Sequence, residues 1–388
     1  MRSNRQDQRE RDRFGAYVAN ESFYLGDAAA QLTILSSVKR DEVRAVFNYA
    51  RDILNKHASA TITGLKCRVV NDDKTAQTAL DAAITASSAF STDFTAVLQG
   101  TILGDSAYYV THEDGQVFYR VLHPGDVDVL EWTQSGQPAK VMVQHDDRVE
   151  TWTSDSVLID MGGTDAVEFA NPYGLIPVVV WPNWPRIGSH WGDSTLEHIK
   201  AAARLLNERM DLLMWLIRVQ GNPPIKALGV DKATLRTDPG EIWTGPADAQ
   251  IDLIKLMDAE TAGIHQTTIQ MLLTTVKELS NTPDIAYGIG NTQLSGRALE
   301  MAYMPMIQAA GVRRGFLGDA IVRRNRIVLR MTEVLQGLSF AQGYDTAVSF
   351  DSIVPADRYA DRDQDRLDMA NGSLPVSVYA ERHLAVQQ

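Results

Sequence analysis

The segment Ser194–Gln220, STLEHIKAAARLLNERMDLLMWLIRVQ, contains the clearest structural signal in this sequence. Its apolar residues are separated alternately by three and four positions, which is the repeat of one face of an α-helix. Ser194 can cap the first turn, and Glu197, three residues later, can complete a capping box. The stripe consists of Leu196, Ile199, Ala203, Leu206, Met210, Leu213 and Ile217. The pattern predicts a long helix with one apolar side that must be buried against a partner.

A second helix of the same kind is predicted from Ala259 to about Leu279, where apolar residues again follow each other at intervals of three and four. The first helix is stopped by Gly221–Pro224, because proline lacks a backbone N–H and cannot continue it. Between them, Ile225–Met257 contains turn pairs around short β-like runs. The two helices therefore enclose a small insertion.

The part of the chain before these helices changes character once. Apolar residues at helical spacing predict a pair of helices over Ala28–Lys56, followed by an extended segment, Ala60–Val70. The alanine-rich stretch Thr75–Phe94 predicts one further helix, since alanine is the residue least costly to order helically. Val97–Trp181 is rich in Val, Ile, Tyr and Trp and is interrupted by glycine-containing turn pairs. This composition predicts one antiparallel β region that ends in a buried strand, Leu175–Val180.

After the second helix the sequence predicts a loop, a long helix and a short tail. Tyr287–Gly296 contains three glycines and polar residues, which indicates a mobile loop. Helical spacing resumes from Arg297 to about Leu338, and Pro305 should kink this helix. A strand is predicted at Ala347–Phe350, and a short helix in the last twenty residues. The fold class predicted from these elements is α+β.

Composition limits the class of protein. The chain has 388 residues, 44% of them hydrophobic, a formal net charge of −12 and a pI of about 5.1. An acidic protein does not attract nucleic acid by its summed charge, so any DNA contact must be local or weak. The single cysteine, Cys67, excludes an intrachain disulfide framework. No apolar run is long enough for a signal peptide or a membrane span, and a soluble protein is expected.

Residue patterns that would indicate catalysis are missing from the sequence. There is no Walker-type phosphate-binding sequence and no Gly-x-Ser-x-Gly nucleophile turn. Gly288-Ile289-Gly290 lacks the third glycine and the strand–helix context of a dinucleotide site. His190 and His198 have no third ligand at zinc spacing, and the aspartates of Asp361–Asp368 lack the glycine and glutamate of a calcium loop. We therefore predict no catalytic residue, no metal site and no cofactor.

Several short sequences, in a fixed order, resemble the portal (head-to-tail connector) family of tailed bacteriophages. The resemblance covers residues 171–357 and is specific in its order rather than in any single motif. The matching sequences are Asn171–Val179 (NPYGLIPVV), Gly192–Leu196 (GDSTL), Asn222–Pro224 (NPP), Leu294–Leu299 (LSGRAL) and Phe350–Asp357 (FDSIVPAD). The chain stops about thirty residues after Pro355, so the helical crown that many portals carry at this end is expected to be reduced.

The resemblance implies a portal-like fold with an α/β wing, two stem helices, a small β-containing clip, a tunnel loop and a kinked long helix. The implied parts are an N-terminal wing (1–193), the first stem helix (194–220), the clip (221–257), the second stem helix (258–282), the tunnel loop (283–297), the kinked wing helix (298–340), and a C-terminal wing strand with a short crown-like end (341–388).

It also implies a non-enzymatic structural role. Copies of the chain would form a ring, usually a dodecamer, at one capsid vertex of the virion, after assembly in the host cytoplasm. Double-stranded DNA would pass through the ring without sequence specificity during packaging and ejection. The implied partners are the terminase, head-completion or adaptor proteins, and the major capsid and scaffolding proteins, with no membrane and no cofactor.

Candidate site residues follow from these implied parts. The DNA channel would be lined by Ile289, Asn291, Thr292, Gln293 and Leu294 of the tunnel loop and by Lys277 of the second stem helix. The clip would face terminase or adaptor proteins through Lys226, Lys232, Arg236 and Trp243. Each set has a simpler interpretation: Asn291 suits an ordinary turn, and exposed lysines serve solubility.

One basic stretch stands out in an otherwise acidic protein. Its arginines are predicted to pair with carboxylates of the next subunit, because a guanidinium suits bidentate carboxylate pairing; contact with packaged DNA is the alternative. They are Arg313, Arg314, Arg323, Arg324, Arg326 and Arg330.

Three hypotheses for the whole chain remain at this point. The first is the portal, and the second is another ring-forming adaptor or capsid-associated structural protein of a phage. The third is a hydrolase with an unrecognised site, which no motif supports. The two apolar helix stripes also have an ordinary explanation, namely two helices packed within one core.

Overall fold

The computed structural model describes residues 2–32, 46–70, 72–162, 166–221, 225–229, 248, 250–253, 257–289, 296–340, 343–354, 365–371, 373, 375 and 378. The chain divides into two compact units. The first unit consists of Met1–Glu21, Arg51–His198 and Lys277–Gln388. The second unit consists of Ser22–Ala50 and Ile199–Val276. The chain therefore leaves the first unit after His198 and returns to it at Lys277.

Eight helices lie within the described residues. They are α1 (Arg2–Leu25), α2 (Ala28–Gln31), α3 (Tyr49–Ile62), α4 (Lys74–Ala86), α5 (Ala89–Leu103), α6 (Thr195–Gly221), α7 (Ala259–Leu279) and α8 (Gly296–Gln336). Residues 365–370 are also helical. None of the helices in the described ranges combines the length and the hydropathy needed to cross a bilayer.

The described strands are twelve in number. They are β1 (Lys66–Val69), β2 (Asp105–Glu113), β3 (Gln116–Leu122), β4 (Val127–Trp132), β5 (Pro138–Gln144), β6 (Val149–Trp152), β7 (Ser156–Asp160), β8 (Val167–Ala170), β9 (Val178–Pro182), β10 (Ile225–Leu228), β11 (Gln250–Leu253) and β12 (Thr346–Ser349).

All strand pairs are antiparallel, and the β region is divided into separate sheets. A three-stranded sheet has the order β3-β2-β9, and a five-stranded sheet follows chain order from β4 to β8. The pairs β1-β12 and β10-β11 form two further small sheets. We predicted a single β region starting at Val97, and this was wrong: α5 extends to Leu103, and the strands after it form two sheets.

The three-stranded sheet lies between two apolar cores. On one face, Tyr108 and Trp181 pack with helices α4, α5 and α8. On the other face, Ala107 and Val180 pack with side chains of the five-stranded sheet. The two cores are possible because successive residues of a strand point to opposite faces, so β2 supplies one core with even-numbered and the other with odd-numbered residues.

A buried ion pair joins α8 to α5 inside the first of these cores. Arg324 is fully buried and its Nη1 lies 2.5 Å from Oδ1 of Asp93. The guanidinium also lies over the rings of Tyr119 and Tyr108, at 3.8 and 4.9 Å from their centroids. Burial opposes ionisation of Arg324, but the carboxylate of Asp93 raises the pKa of this guanidinium above its ordinary value. The charged pair is therefore a structural part of the core.

The helix predicted over Thr75–Phe94 is two helices, α4 and α5. Ser88 between them has a positive φ of 48°, which ends the regular helix. The Ser87 hydroxyl donates to the Ala83 carbonyl at 2.6 Å and accepts the backbone N–H of Tyr119 at 2.8 Å. The break is made by this contact with β3. Helix propensity, which reflects alanine content alone, could not predict it.

The two long helices before and after the insertion were predicted correctly. Helix α6 begins at Thr195, and Ser194 caps it by accepting the N–H of Leu196 on its Oγ at 3.0 Å. Helix α7 has the predicted bounds, and α8 runs through Pro305 from Gly296 to Gln336. The predicted strand at Ala347–Phe350 is confirmed as β12, which pairs with β1.

Three other segments differ from the sequence interpretation. The polar N-terminus, to which the sequence analysis assigned no separate element, forms α1. Helix α3 continues to Ile62, so the predicted extended segment shortens to β1. Of the two helices predicted over Ala28–Lys56, α2 and the start of α3 lie within the described residues, and 33–45 lie outside them.

The second unit combines the early segment Ser22–Ala50 with helix α6, although the two are far apart in sequence. Asn207 of α6 is buried, and its Nδ2 donates to Oε1 of Gln31 at 2.6 Å. Its Oδ1 accepts the backbone N–H of Phe47 at 2.9 Å. Arg204 of the same helix donates to the carbonyl of Ala30. These bonds explain why Ser22–Ala50 groups with α6 rather than with the rest of the segment 1–193.

Replacing Arg324 by methionine should lower the free energy of unfolding by roughly 3–5 kcal/mol, because it leaves Asp93 buried without its partner. The control is Arg326→Met on the same helix, where the side chain is exposed and the expected change is below about 0.5 kcal/mol. Urea denaturation followed by tryptophan fluorescence measures both. Equal midpoints for the two variants would contradict a structural role for the pair.

Asp105 should make stability depend on pH. Its carboxylate is fully buried and accepts from the Tyr17 hydroxyl and the Gly192 N–H, each at 2.6 Å. Burial raises the pKa of Asp105 to about 6, and these bonds only partly oppose it. The folded state thus holds the proton more tightly, which favours folding below about pH 4 and is lost as the pH rises through about 6.

Between about pH 4 and pH 7, the stability of the wild type relative to Asp105→Asn should therefore fall by roughly 3 kcal/mol. The asparagine keeps an acceptor for Gly192 and does not titrate. Unfolding curves of both proteins at several pH values test this. Parallel pH profiles would show that Asp105 does not titrate in this range.

Candidate functional site

The far part of helix α6 carries apolar side chains that the chain itself leaves uncovered. Leu196, Ile199 and the other stripe residues of the first half are buried. Beyond Met210 burial decreases, and Met214 and Ile217 are exposed, together with Trp215. Exposed large apolar residues that cluster on one element are typical of an interaction surface rather than of a solvent-facing helix.

Helix α7 also has exposed apolar side chains. Ile264, Met271 and Leu279 are 61%, 60% and 50% exposed, whereas Leu272 and Val276 are buried. Ile264 and Met271 are seven residues apart and therefore share one face of the helix. Both long helices thus have apolar side chains that are exposed in the part of the chain that the structure describes, and the interpretation of two helices packed entirely within one core is not supported.

The segment that follows α7 is attached through its charged and aromatic side chains. Lys277 of α7 donates to Oδ1 of Asp284 at 2.6 Å, and its side chain is only 13% exposed. The ammonium groups of Lys277 and Lys56 lie 4.9 and 4.8 Å from the ring centroid of Tyr287. Asp284–Tyr287 forms a 3-10 turn, so its first and last residues are both held.

These contacts engage the side chain of Lys277, and its predicted place in the channel stays a prediction. Its charge is neutralised by Asp284 and its side chain is mostly covered, so Lys277 holds the turn in place. Ile289, directly after the turn, is 55% exposed, as expected for a residue at the beginning of a loop. The remaining predicted loop residues, Asn291, Thr292, Gln293 and Leu294, lie outside the described residues.

The insertion contains the two-stranded sheet β10-β11. Lys226 of β10 is exposed and lies directly opposite Asp252 of β11. Opposite charges in facing positions of an antiparallel pair stabilise the register. The other predicted clip residues, Lys232, Arg236 and Trp243, lie outside the described residues.

The arginines of α8 mostly bind groups of their own chain. Arg314 donates to backbone carbonyls of Ala60, Thr61, Thr63 and Asp351. Arg323 donates to Gln137 and to the carbonyl of Val180. Arg330 donates to the carbonyl of Tyr173 and to Glu333.

Arg313 and Arg324 are buried and bind groups of their own chain as well. Pairing with the next subunit therefore stays a prediction for Arg326, whose side chain is exposed. For the other five, the structure gives partners within the chain. Helical spacing placed all six arginines on one helix but contained no information on what lies against each face.

Sequence reasoning also missed His57, which the structure places next to Arg313. Nη1 of Arg313 lies 2.9 Å from Nδ1 of His57, and Nε2 of His57 lies 3.0 Å from Oγ1 of Thr282. His57 and Thr282 are 225 positions apart in sequence. No local motif signals such a contact. Of the histidines considered as metal ligands, His190 stacks on the ring of Trp132 at 4.1 Å.

The α+β body, the two long helices around a small β insertion, and the held turn after the second helix together define a portal-like protein. The family model "Phage portal protein, SPP1 Gp6-like" matches residues 7–387. The chain therefore belongs to this family. No curated protein sequence matches the chain.

Solved structures with a similar fold come from gene transfer agent (GTA) particles. The chain resembles one from the neck of an empty GTA particle computed with C6 symmetry, with a TM-score of 0.52, 12% identity, and coverage of 84% of this chain and 86% of that one. A second similar chain comes from the virion of a native GTA particle. The match covers 92% of this chain and 89% of that one, with 12% identity and a TM-score of 0.49. The first of these likenesses supports the portal-like fold.

Asp284→Asn should loosen the 3-10 turn without unfolding the protein. Removing the carboxylate deprives Lys277 of its partner, and a partly exposed pair of this kind contributes no more than about 1 kcal/mol. Amide hydrogen exchange should therefore accelerate at Ala286–Ile289, while the global unfolding midpoint hardly changes. The control is Glu278→Gln, which removes an exposed neighbouring carboxylate. Equal exchange in both variants would exclude an anchoring role for the pair.

Proposed function

We propose that this chain is the portal subunit of a tailed-phage-like particle, and that copies of it form a closed ring through which double-stranded DNA passes. Family membership over residues 7–387 supports this proposal. The observation that carries it is the uncovered apolar surface on α6 and α7. A second copy of the same chain is the partner that would cover it.

Ring closure follows from the kind of contact required. If apolar residues of α6 and α7 pack against a different surface of the next copy, the contact is heterologous, and its repetition produces a ring when the rotation closes. The GTA neck structure was computed with C6 symmetry, and a ring of twelve copies is compatible with sixfold symmetry. We propose a dodecamer at one capsid vertex, assembled in the host cytoplasm.

The electrostatics of the chain suit a channel that does not hold DNA tightly. The net charge is −12, and five arginines of α8 and Lys277 are engaged within the chain. Strong cationic contacts with phosphates would bind the duplex and slow its movement. We propose that the loop residues Ile289–Leu294 line the channel, where uncharged polar side chains contact phosphates without a fixed charge.

The clip is the proposed docking site for other components of the particle. Lys226, Lys232, Arg236 and Trp243 would contact terminase during packaging and head-completion or adaptor proteins afterwards. Exposed Lys226 is available for such a contact. The wing would contact the major capsid and scaffolding proteins, and exposed Arg326 would pair with a carboxylate of the next subunit. This role is structural and includes no catalytic step.

Ile264→Glu should prevent ring formation while leaving the single chain folded. The side chain is already mostly exposed, so the substitution costs little in the isolated chain, but a carboxylate in an apolar contact between copies must be desolvated. The matched control is Gln266→Glu, which introduces the same charge two residues away on a different face of α7. Mass photometry of both variants measures the assembled fraction.

The expected result is monomers or small oligomers for Ile264→Glu and rings for Gln266→Glu. Rings formed equally by both variants would show that α7 does not contribute its apolar face to assembly. Circular dichroism of the two proteins should be the same, since neither change affects a buried residue.

A further inference from the structure

Arg313 is a buried cation for which no described residue supplies a carboxylate. Its side chain is almost completely covered, and two nitrogens are bonded: Nη1 to Nδ1 of His57 at 2.9 Å and Nη2 to Oγ1 of Thr195 at 3.1 Å. The third, Nε, is buried without a partner. Burial lowers the pKa of Arg313 to about 10, so it is charged at neutral pH.

The direction of the hydrogen bonds follows from this charge. A guanidinium only donates, so Nδ1 of His57 must accept and the imidazole proton must be on Nε2. Nε2 then donates to Oγ1 of Thr282 at 3.0 Å. Burial lowers the pKa of His57 to about 3, and the positive Arg313 acts in the same direction, so the ring stays neutral. Ser280 donates to the same Thr282 oxygen at 2.9 Å.

The two ends of this network lie where the chain passes between its units. Thr195 is the first residue of α6, three positions before the chain leaves the first unit after His198. Thr282 follows α7, five positions after the chain returns at Lys277. Asn183 holds Thr195 from another direction, by donating from Nδ2 to its Oγ1 at 3.2 Å. All residues of the network belong to the first unit.

We propose that Arg313 is a positioning residue that couples the first turn of α6 to the segment after α7, which are the two segments where the chain leaves the first unit and returns to it. This inference rests on the proposed function in so far as the ring gives the coupling its use. We call Arg313, His57, Thr195 and Thr282 the Arg313 network.

The chemistry favours coupling over simple filling of space. Removing a charge from water without giving it a counter-ion destabilises the fold, whereas an apolar residue of similar size would pack without this penalty. What the guanidinium adds is a rigid fork with donors in two directions, one to α6 and one through His57 to the segment after α7. Lysine has the charge but a single ammonium group in place of the forked guanidinium, so it can bond either Thr195 or His57 at one time.

The test compares Arg313→Met and Arg313→Lys with Arg314→Met. Arg314 is the neighbouring residue on α8 and is half-buried. It donates to carbonyls near Ala60–Thr63 and at Asp351 and lies over the ring of Phe350, so it is a control for losing an arginine next to the network. Hydrogen exchange is measured on the full chain at residues 195–200 and 280–282.

In Arg313→Met, both segments should exchange at least about tenfold faster, because each loses a bond that depends on the charged group. Arg313→Lys should protect one segment and release the other. Arg314→Met should accelerate exchange near residues 60–64 and leave both attachment segments unchanged. If Arg313→Met fails to fold, Thr282→Val, which removes the acceptor of the bonds from His57 and Ser280, should still accelerate exchange at 195–200.

The coupling would be overturned if hydrogen exchange accelerated at only one of the two segments in Arg313→Met. It would also be overturned if Arg314→Met accelerated exchange at both segments to the same extent. No effect of Thr282→Val at 195–200 would overturn it as well. Ring formation of the same proteins is measured separately by mass photometry. A wild type that forms no rings contradicts the proposed function, while the exchange result still decides whether Arg313 couples the two segments.

Discussion

The ion pair between Arg324 and Asp93 is the contact on which the first unit depends. It joins α8 to α5 inside a core that also contains Tyr108 and Tyr119 of the central sheet. A buried pair of this kind contributes little net free energy compared with apolar packing, but the loss of one partner is costly. It therefore requires one specific placement of α8 relative to the sheet. With α8 in that position, its other arginines reach the backbone groups that they bind.

Other cations of the first unit also bind groups of the chain itself. Arg314 holds the end of α3, Arg323 binds β9 and Lys277 holds the turn after α7. These three cations thus bind groups of the protein itself. Cations bound in this way are less available for strong contacts with a duplex in the proposed channel.

Much of the fold could be predicted because its signals are local. The spacing in Ser194–Gln220 and the cap at Ser194 predicted α6 almost to the residue. The features that the sequence analysis did not predict depend on contacts between distant segments. The break after Ala86 is made by Tyr119, and the division of the sheets by packing on both faces of β2. His57 and Thr282 are brought together only by the folded chain, and the partners of Arg324 are likewise not visible in helical spacing.

We propose that copies of this chain enclose a channel by covering one another's apolar helix surface. Electron microscopy of the purified wild-type protein can show this. We expect closed rings with a central hole wide enough for a DNA duplex. A preparation that remains a single folded chain at high concentration, with no rings in any image, would contradict it.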